Sequence, residues 1–226
     1  MTGPNLGAGA AGRAARPVQR RGLLWAVFVT VVILTALAFF AIGRLSGAPQ
    51  QISDDGPDAG FARDMQVHHA QAVEMALIIR DTSTNEEIRA VAYDIATTQQ
   101  HQKGQMFAWL QGWGLSQAGK GAPMAWMGAG SGDHGQSHGA SAAAAPQSQM
   151  EGMATPEQMQ ALRAASGTEA DRLFTDLMIR HHQGGVAMAT AAVNLAETAR
   201  VRDFAAGLVE AQSAEILALQ DLRARL

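Results

Sequence analysis

Cysteine is absent from all 226 residues. Its absence excludes disulfides, zinc–thiolate centres and thiol redox chemistry, and leaves His, Met, Asp and Glu as metal-binding side chains. Aromatic residues are only 5% of the chain, and alanine is abundant, which suits close-packed helices better than a sheet. Acidic residues are missing from the first 44 positions. All twenty of them lie beyond Arg44, against twelve Lys and Arg there, so that part carries a net charge of −8. An acidic surface raises the local cation concentration and disfavours nucleic acid as a partner. Soluble surfaces also need net charge, so charge permits a metal without demanding one.

Leu23 to Ile42 runs twenty residues without a charge, long enough to cross a bilayer as a helix. Residues 1–22 form a basic tail with Arg13, Arg16, Arg20 and Arg21. The positive-inside rule holds that tail in the cytoplasm and sends the chain beyond Arg44 outside. A cleaved signal peptide is the rival reading. Its apolar region is ordinarily shorter, about 7 to 15 residues, and ends in a small-x-small site. Arg44 and the weak Ser46–Ala48 site favour a retained anchor over residues 23–42, then a linker over 43–56.

What is present is a repeat. Asp58, Phe61, Met65, His68, His69, Val73, Met75 and Ala76 recur 113 residues later as Asp171, Phe174, Met178, His181, His182, Val186, Met188 and Ala189. Ile88-Arg89 and Gln99 fall on Val201-Arg202 and Gln212 at the same offset. Apolar periodicity predicts a helix over about 58–80 and a second to about Trp113, with Gly112 and Gly114 as its stop. Ser83 with Glu86, or Thr84 with Glu87, offers the second helix a capping box. Residues of about 116–154 lack large aliphatics and period, and read as a flexible insert. Thr155-Pro156-Glu157-Gln158 restarts a short helix. Thr168 with Asp171 caps the next long helix, which runs to about Thr198, and a last helix completes the chain. A lone hairpin cannot bury its apolar stripe, so 57–226 should form an all-α four-helix bundle of two duplicated hairpins, preceded by one transmembrane helix.

On a wheel with Met65 at zero, Phe61, His68, His69, Ala72 and Met75 lie within an arc of about 120°, and Glu74 lies opposite. The second copy has identical spacing. Thioether sulfur is soft and imidazole borderline, a set that suits Cu(I) and, with more His, Cu(II); zinc or nickel on the histidines alone is the weaker choice. A methionine stripe at helical spacing is ordinarily core, and one buried His is ordinarily hydrogen-bonded. Four histidines on two inward faces are harder to explain that way, because each imidazole buried without a partner costs about 1 to 3 kcal/mol.

The insert adds Met124, Met127, His134, His138, Met150 and Met153. In a disordered segment packing does not account for such residues, and short His/Met tracts read as metal capture; compositional drift is the alternative. Trp126 is placed to shield an ion bound there. Gln99, Gln102 and Met106 share one face of the second helix, matched by Gln212, Glu215 and Leu219 in the last. Glu215 either supplies a carboxylate to the core or anchors a histidine from behind. His101 points away from that face.

These residues resemble the bacterial family catalogued as domain of unknown function 305. The pattern D-x-x-F-x-x-x-M-x-x-H-H-x-x-x-V-x-M-A stands in both halves, and Q-x-x-E-I appears at Gln212 to Ile216. The resemblance implies a ferritin-like helical bundle, and for some members extracytoplasmic copper binding and tolerance. It marks Met65, His68, His69, Met75, Met178, His181, His182 and Met188 as the functional positions. Gln102-Lys103 departs from the Glu-Ile of the family pattern, so the two halves need not be equivalent.

Three functions are compatible with these features. The first is a membrane-anchored, non-enzymatic copper-binding protein that buffers copper or hands it to a partner, its site closed within one chain or across a homodimer. The second is a ferritin-like metalloenzyme, which needs several inward Glu and Glu-x-x-His motifs that neither copy supplies. The third is a helical interaction module whose buried histidines sense pH.

Overall fold

The computed structural model describes residues 17–46, 51–130 and 150–226, and no strand occurs among them. The chain divides into two compact units, residues 1–50 and 51–226. In the first, helix α1 spans Pro17–Ser46. Its Gly22–Gly43 stretch of 22 residues has a mean hydropathy of 2.7 and is long and apolar enough to cross a membrane. Its two threonines return their hydroxyls to their own helix, Thr30 to the Ala26 carbonyl at 2.9 Å and Thr35 to Val31 at 2.8 Å. Neither hydroxyl is therefore left for water to satisfy.

The second unit contains α2 (Pro57–Thr82), α3 (Glu86–Gly112), a 3₁₀ turn (Ala125–Gly130), α4 (Pro156–Ala164), α5 (Gly167–Leu195) and α6 (Ala199–Arg225). Hairpins α2/α3 and α5/α6 pack through α2 against α5, giving the expected four-helix bundle of duplicated hairpins. Phe61 and Phe174, Met65 and Met178, and Met75 and Met188 are all fully buried, as equivalent positions of a repeat should be.

The helix starts depart from expectation in detail. Asn85, not Ser83 or Thr84, caps α3: its side chain accepts from the Glu87 and Ile88 N–H groups at 2.9 and 3.4 Å. Ser83 still belongs to the end of α2, where its N–H bonds the Ile79 carbonyl, and its hydroxyl accepts from Asn85 N–H at 3.0 Å. Ser166 rather than Thr168 is the N-cap of α5. That helix ends at Leu195, earlier than expected, because Thr198 is the N-cap of α6 and accepts from the Val201 N–H. The Thr155–Gln158 capping box forms as expected, with both reciprocal bonds.

Asp58 does not serve its own helix. Buried at the start of α2, its carboxylate accepts from the Glu197 N–H at 2.7 Å and the Thr198 N–H at 3.0 Å, so it holds the α5–α6 turn. Its repeat partner Asp171 is also buried, yet its Oδ1 has no hydrogen-bond partner. The duplication is therefore closer in packing than in polar detail.

The core falls into two apolar clusters. One joins Met75 and Ile79 of α2 to Phe174 and Met178 of α5, with Ile95 and Leu219. The other joins Phe61 and Met65 of α2 to Met188 and Ala192 of α5, with Met106 and Leu208. The C-terminal half of α2 thus packs with the N-terminal half of α5, and the reverse, as in an antiparallel pair. The four histidines lie on α2 and α5 between these groups.

The described ends of the insert pack against the bundle, so the methionines there do have a core to fill. Trp126 is buried, its ring set edge-on to Phe61 at 6.0 Å, and its indole N–H donates to Asp64 Oδ2 at 2.8 Å. The Met124 N–H donates to the same oxygen at 2.8 Å. Met124, Met127 and Met153 pack against the second cluster and Met150 lies within it. Gly60 makes this approach feasible, since a Cβ there would stand 2.4 Å from Trp126 Cδ1. A few large side chains among many small ones are enough to fasten a segment, and averaged composition hides them.

Candidate metal centre

His68, His69, His181 and His182 are fully buried. Helical spacing puts His68 and His69 on the α2 stripe with Met65, Ala72 and Met75, all fully buried, while Glu74 faces outward to an ion pair with Arg163 of α4. The His68 and His181 rings meet across the bundle with centroids 3.7 Å apart and planes tilted by 34°. His181 and His182 rings are 6.2 Å apart.

Three of the four rings are held by Nε2. His181 Nε2–H donates to the His68 carbonyl at 3.0 Å. His182 Nε2–H donates to Glu215 Oε2 at 2.6 Å, and His69 Nε2–H to Gln102 Oε1 at 2.7 Å. With the proton on Nε2, a neutral imidazole carries its lone pair on Nδ1. All four Nδ1 atoms are buried with no hydrogen-bond partner, as is His68 Nε2. Ligating histidines are held in this way, one nitrogen donating to oxygen and the other free for an ion.

Burial keeps His68, His69 and His181 neutral. It pushes His68 down to about 4, an effect that the nearby His182 reinforces and the Glu151 backbone opposes. Burial and then the neighbouring His68 push His69 down to about 3, with Gln102 opposing. His181 is held well below the ordinary range by burial, then by His68, His182 and His69. A neutral imidazole is the form that binds metal.

A strap from the insert closes over this layer. Ala154 exchanges two backbone bonds with the Gln71 side chain, at 2.7 and 2.8 Å. A Cβ on Gly184 would stand 1.9 Å from the Glu151 carbonyl, and one on Gly152 2.4 Å from the Arg180 carbonyl, so the strap lies directly on the backbone of α5. The pattern of His and Met gave no hint of Gly184. Gly185 faces the Gln212 amide, whose Oε1 would be 2.3 Å from a Cβ there. Gln212 Oε1 and both amide atoms of Gln99 are buried without partners.

The expected residues thus separate. The four histidines lie together in the bundle's polar layer, with Glu215 behind His182. Met65 and Met188 share one flanking cluster, and Met75 and Met178 the other. Met124 and Met127 sit at the surface of the second cluster, outside that layer, and His134 and His138 fall outside the described residues. His101 is exposed and bonded to Gln105, as expected. Among the described residues no three His, Asp or Glu side chains form a ready-made metal cage. The nitrogen and sulfur donors suit a soft or borderline ion that accepts few ligands.

The family model for a domain of unknown function, DUF305, matches residues 58–223. The chain belongs to the DUF305 family. A DUF305 protein of Streptomyces coelicolor is 42% identical, with a TM-score of 0.67 over 76% of this chain and 95% of that one. A DUF305 fragment from Deinococcus radiodurans is 29% identical, with a TM-score of 0.61 over 75% and 97%. CopM in its Cu(II)-bound form is 26% identical, with a TM-score of 0.53 over 78% and 99%. CopM has also been solved in a Cu(I)-bound form, which matches at 23% identity and so shares the fold. No functionally curated protein matches the chain.

Proposed function

We propose that this DUF305 protein is a membrane-anchored, extracytoplasmic copper-binding protein that buffers copper, confers tolerance or passes the ion to a partner. The observation that carries this reading is the set of four buried Nδ1 atoms without partners, three on rings whose Nε2 is committed elsewhere. Leaving such atoms unmatched costs about 1 to 3 kcal/mol each, and an ion bound there would offset that cost. His68, His69, His181 and His182 supply the nitrogens. Met65, Met75, Met178 and Met188 supply sulfur from the flanking clusters, and Glu215 orients His182. Met124 and Met127 are further sulfur donors outside that layer, and His134 and His138 are candidates on sequence alone.

Copper bound to CopM supports the choice of ion, as does the absence of cysteine, which leaves imidazole and thioether as the soft donors. Zinc on the histidines alone is the weaker choice, because it would make no use of the flanking thioethers, which suit copper. A di-iron oxidase would need several inward carboxylates, and Glu74 faces away. The basic tail and apolar helix support an anchor with the bundle outside the cytoplasm.

The test is metal analysis of the purified protein after loading with copper, zinc or iron. Stoichiometric copper that is lost when His68, His69, His181 and His182 are replaced by Ala is the expected result. Binding that survives the fourfold replacement would overturn the assignment.

A further inference from the structure

The two halves of the centre differ in the side chain that receives the second histidine of each pair. His69 and His182 are equivalent in the repeat, and each turns Nε2 across its own hairpin to the residue 33 positions on. On α3 that residue is Gln102, whose amide oxygen accepts at 2.7 Å. On α6 it is Glu215, whose carboxylate accepts at 2.6 Å. Both bonds hold the proton on Nε2 and leave Nδ1 unpartnered in the core. Their electronic effect is not the same. A carboxylate draws the Nε2 proton more strongly than a neutral amide, and the ring becomes more electron-rich at Nδ1.

We infer that Glu215 is a positioning residue that makes His182 the stronger donor of the duplicated pair. The second half of the centre thereby favours Cu(II), while the first, turned by a neutral amide, favours Cu(I). This rests on the proposed copper binding and adds a division of labour to it. A higher charge on the ion gains more from an electron-rich nitrogen, whereas Cu(I) takes more of its stabilisation from thioether sulfur. The duplication then supplies two related half-sites that the Gln102/Glu215 difference tunes apart.

The full-length protein in detergent, titrated separately with Cu(II) and Cu(I), tests this with Glu215→Gln and Gln102→Glu. Either change keeps an oxygen where Nε2–H can donate. Glu215→Gln should weaken Cu(II) about 10- to 100-fold and leave Cu(I) within a few-fold. Each tenfold difference between the two ions raises the bound copper's reduction potential by about 59 mV. Gln102→Glu should tighten Cu(II) and lower the potential, which keeps the test open should the first variant fold poorly. Equal weakening of both ions with an unmoved potential would make Glu215 merely structural and overturn the inference. Wild-type protein that binds neither ion defeats this inference and the copper reading together. Wild type that binds both, with a potential indifferent to either variant, defeats the inference alone.

Discussion

Acid should unfold the metal-free bundle, and by an amount that the buried rings fix. His68 and His69 sit at about 4 and 3, and His181 lies well below its ordinary value of 6.5. A folded-state pKa below the unfolded one means that the unfolded chain takes up protons first. The stabilisation is complete above pH 6.5 and is lost as pH falls towards 4. At pH 5 His68 and His69 each favour the unfolded chain by about 2 kcal/mol relative to alkaline pH, so the two remove roughly 4 kcal/mol between pH 7 and 5, and His181 acts in the same direction. Single domains are stable by about 5 to 15 kcal/mol, so the shift is large enough to bring the metal-free fold near its midpoint. Urea unfolding followed by circular dichroism at half-unit steps of pH, with and without a chelator, measures it directly. Metal affinity should behave oppositely. An exposed histidine ligand loses roughly 25-fold in affinity between pH 7 and 5 because protons compete for it. In the folded bundle His68, His69 and His181 already lack that proton, so each contributes less than about twofold. A midpoint that moves by less than about 1 kcal/mol over the same range, or an affinity that falls about 25-fold per ligand, would refute neutral, preorganised rings.

Other substitutions probe how the site is held. Gly184→Ala places a methyl group on the Glu151 carbonyl, where a backbone rather than a flexible side chain must yield; urea midpoints should fall by about 1 to 3 kcal/mol, with protease cleavage appearing in the Met150–Ala154 strap. Asp58→Ala strips acceptors from the Glu197 and Thr198 N–H groups and from the Thr198 hydroxyl, and should cost about 1 to 3 kcal/mol, with faster amide exchange at the start of α6. Phe61→Ala and Phe174→Ala each empty a fully buried site and should each cost about 3 to 5 kcal/mol by thermal denaturation. A much larger loss at one of the two would contradict the packing equivalence of the hairpins.

Much of the fold and of the site was legible because the signals are local. The 3.6-residue period of Phe61, Met65, His68, Ala72 and Met75 identifies the buried face of α2, and the offset of 113 transfers it to α5. The Thr155–Gln158 box was legible for the same reason, its two bonds lying within four residues. What escaped depends on contacts between segments distant in sequence. Asn85 outcompetes Ser83 because Ser83 is still engaged with the end of α2. Asp64 anchors Trp126 across 62 positions and Gln71 anchors Ala154 across 83, so the insert could be read only as composition. Asp64 has no counterpart in the repeat, where Leu177 stands; that break in the pattern is the one hint the sequence held of something docked on α2.

The duplication also explains why His68 and His181 are not charged together. When two copies of a helix pack antiparallel about an approximate two-fold, the residue nearest that axis meets its own repeat partner. His68 and His181 do so, with centroids 3.7 Å apart. Two protonated rings at that spacing would repel by roughly 4 kcal/mol at an effective dielectric of about 20, before any cost of burial is counted. The pair therefore tolerates at most one proton, and the symmetry is broken accordingly: His181 donates Nε2–H to the His68 carbonyl, while the His68 ring lies against the Glu151 backbone of the strap and makes no reciprocal bond to α5. A purely structural pair under this constraint would do as well with two apolar side chains, which need no hydrogen bonds at all. Retaining imidazoles here leaves buried lone pairs whose cost only a bound ion or further polar contacts can offset, and the packing that excludes protons from them is the same packing that would keep them ready for the proposed ion.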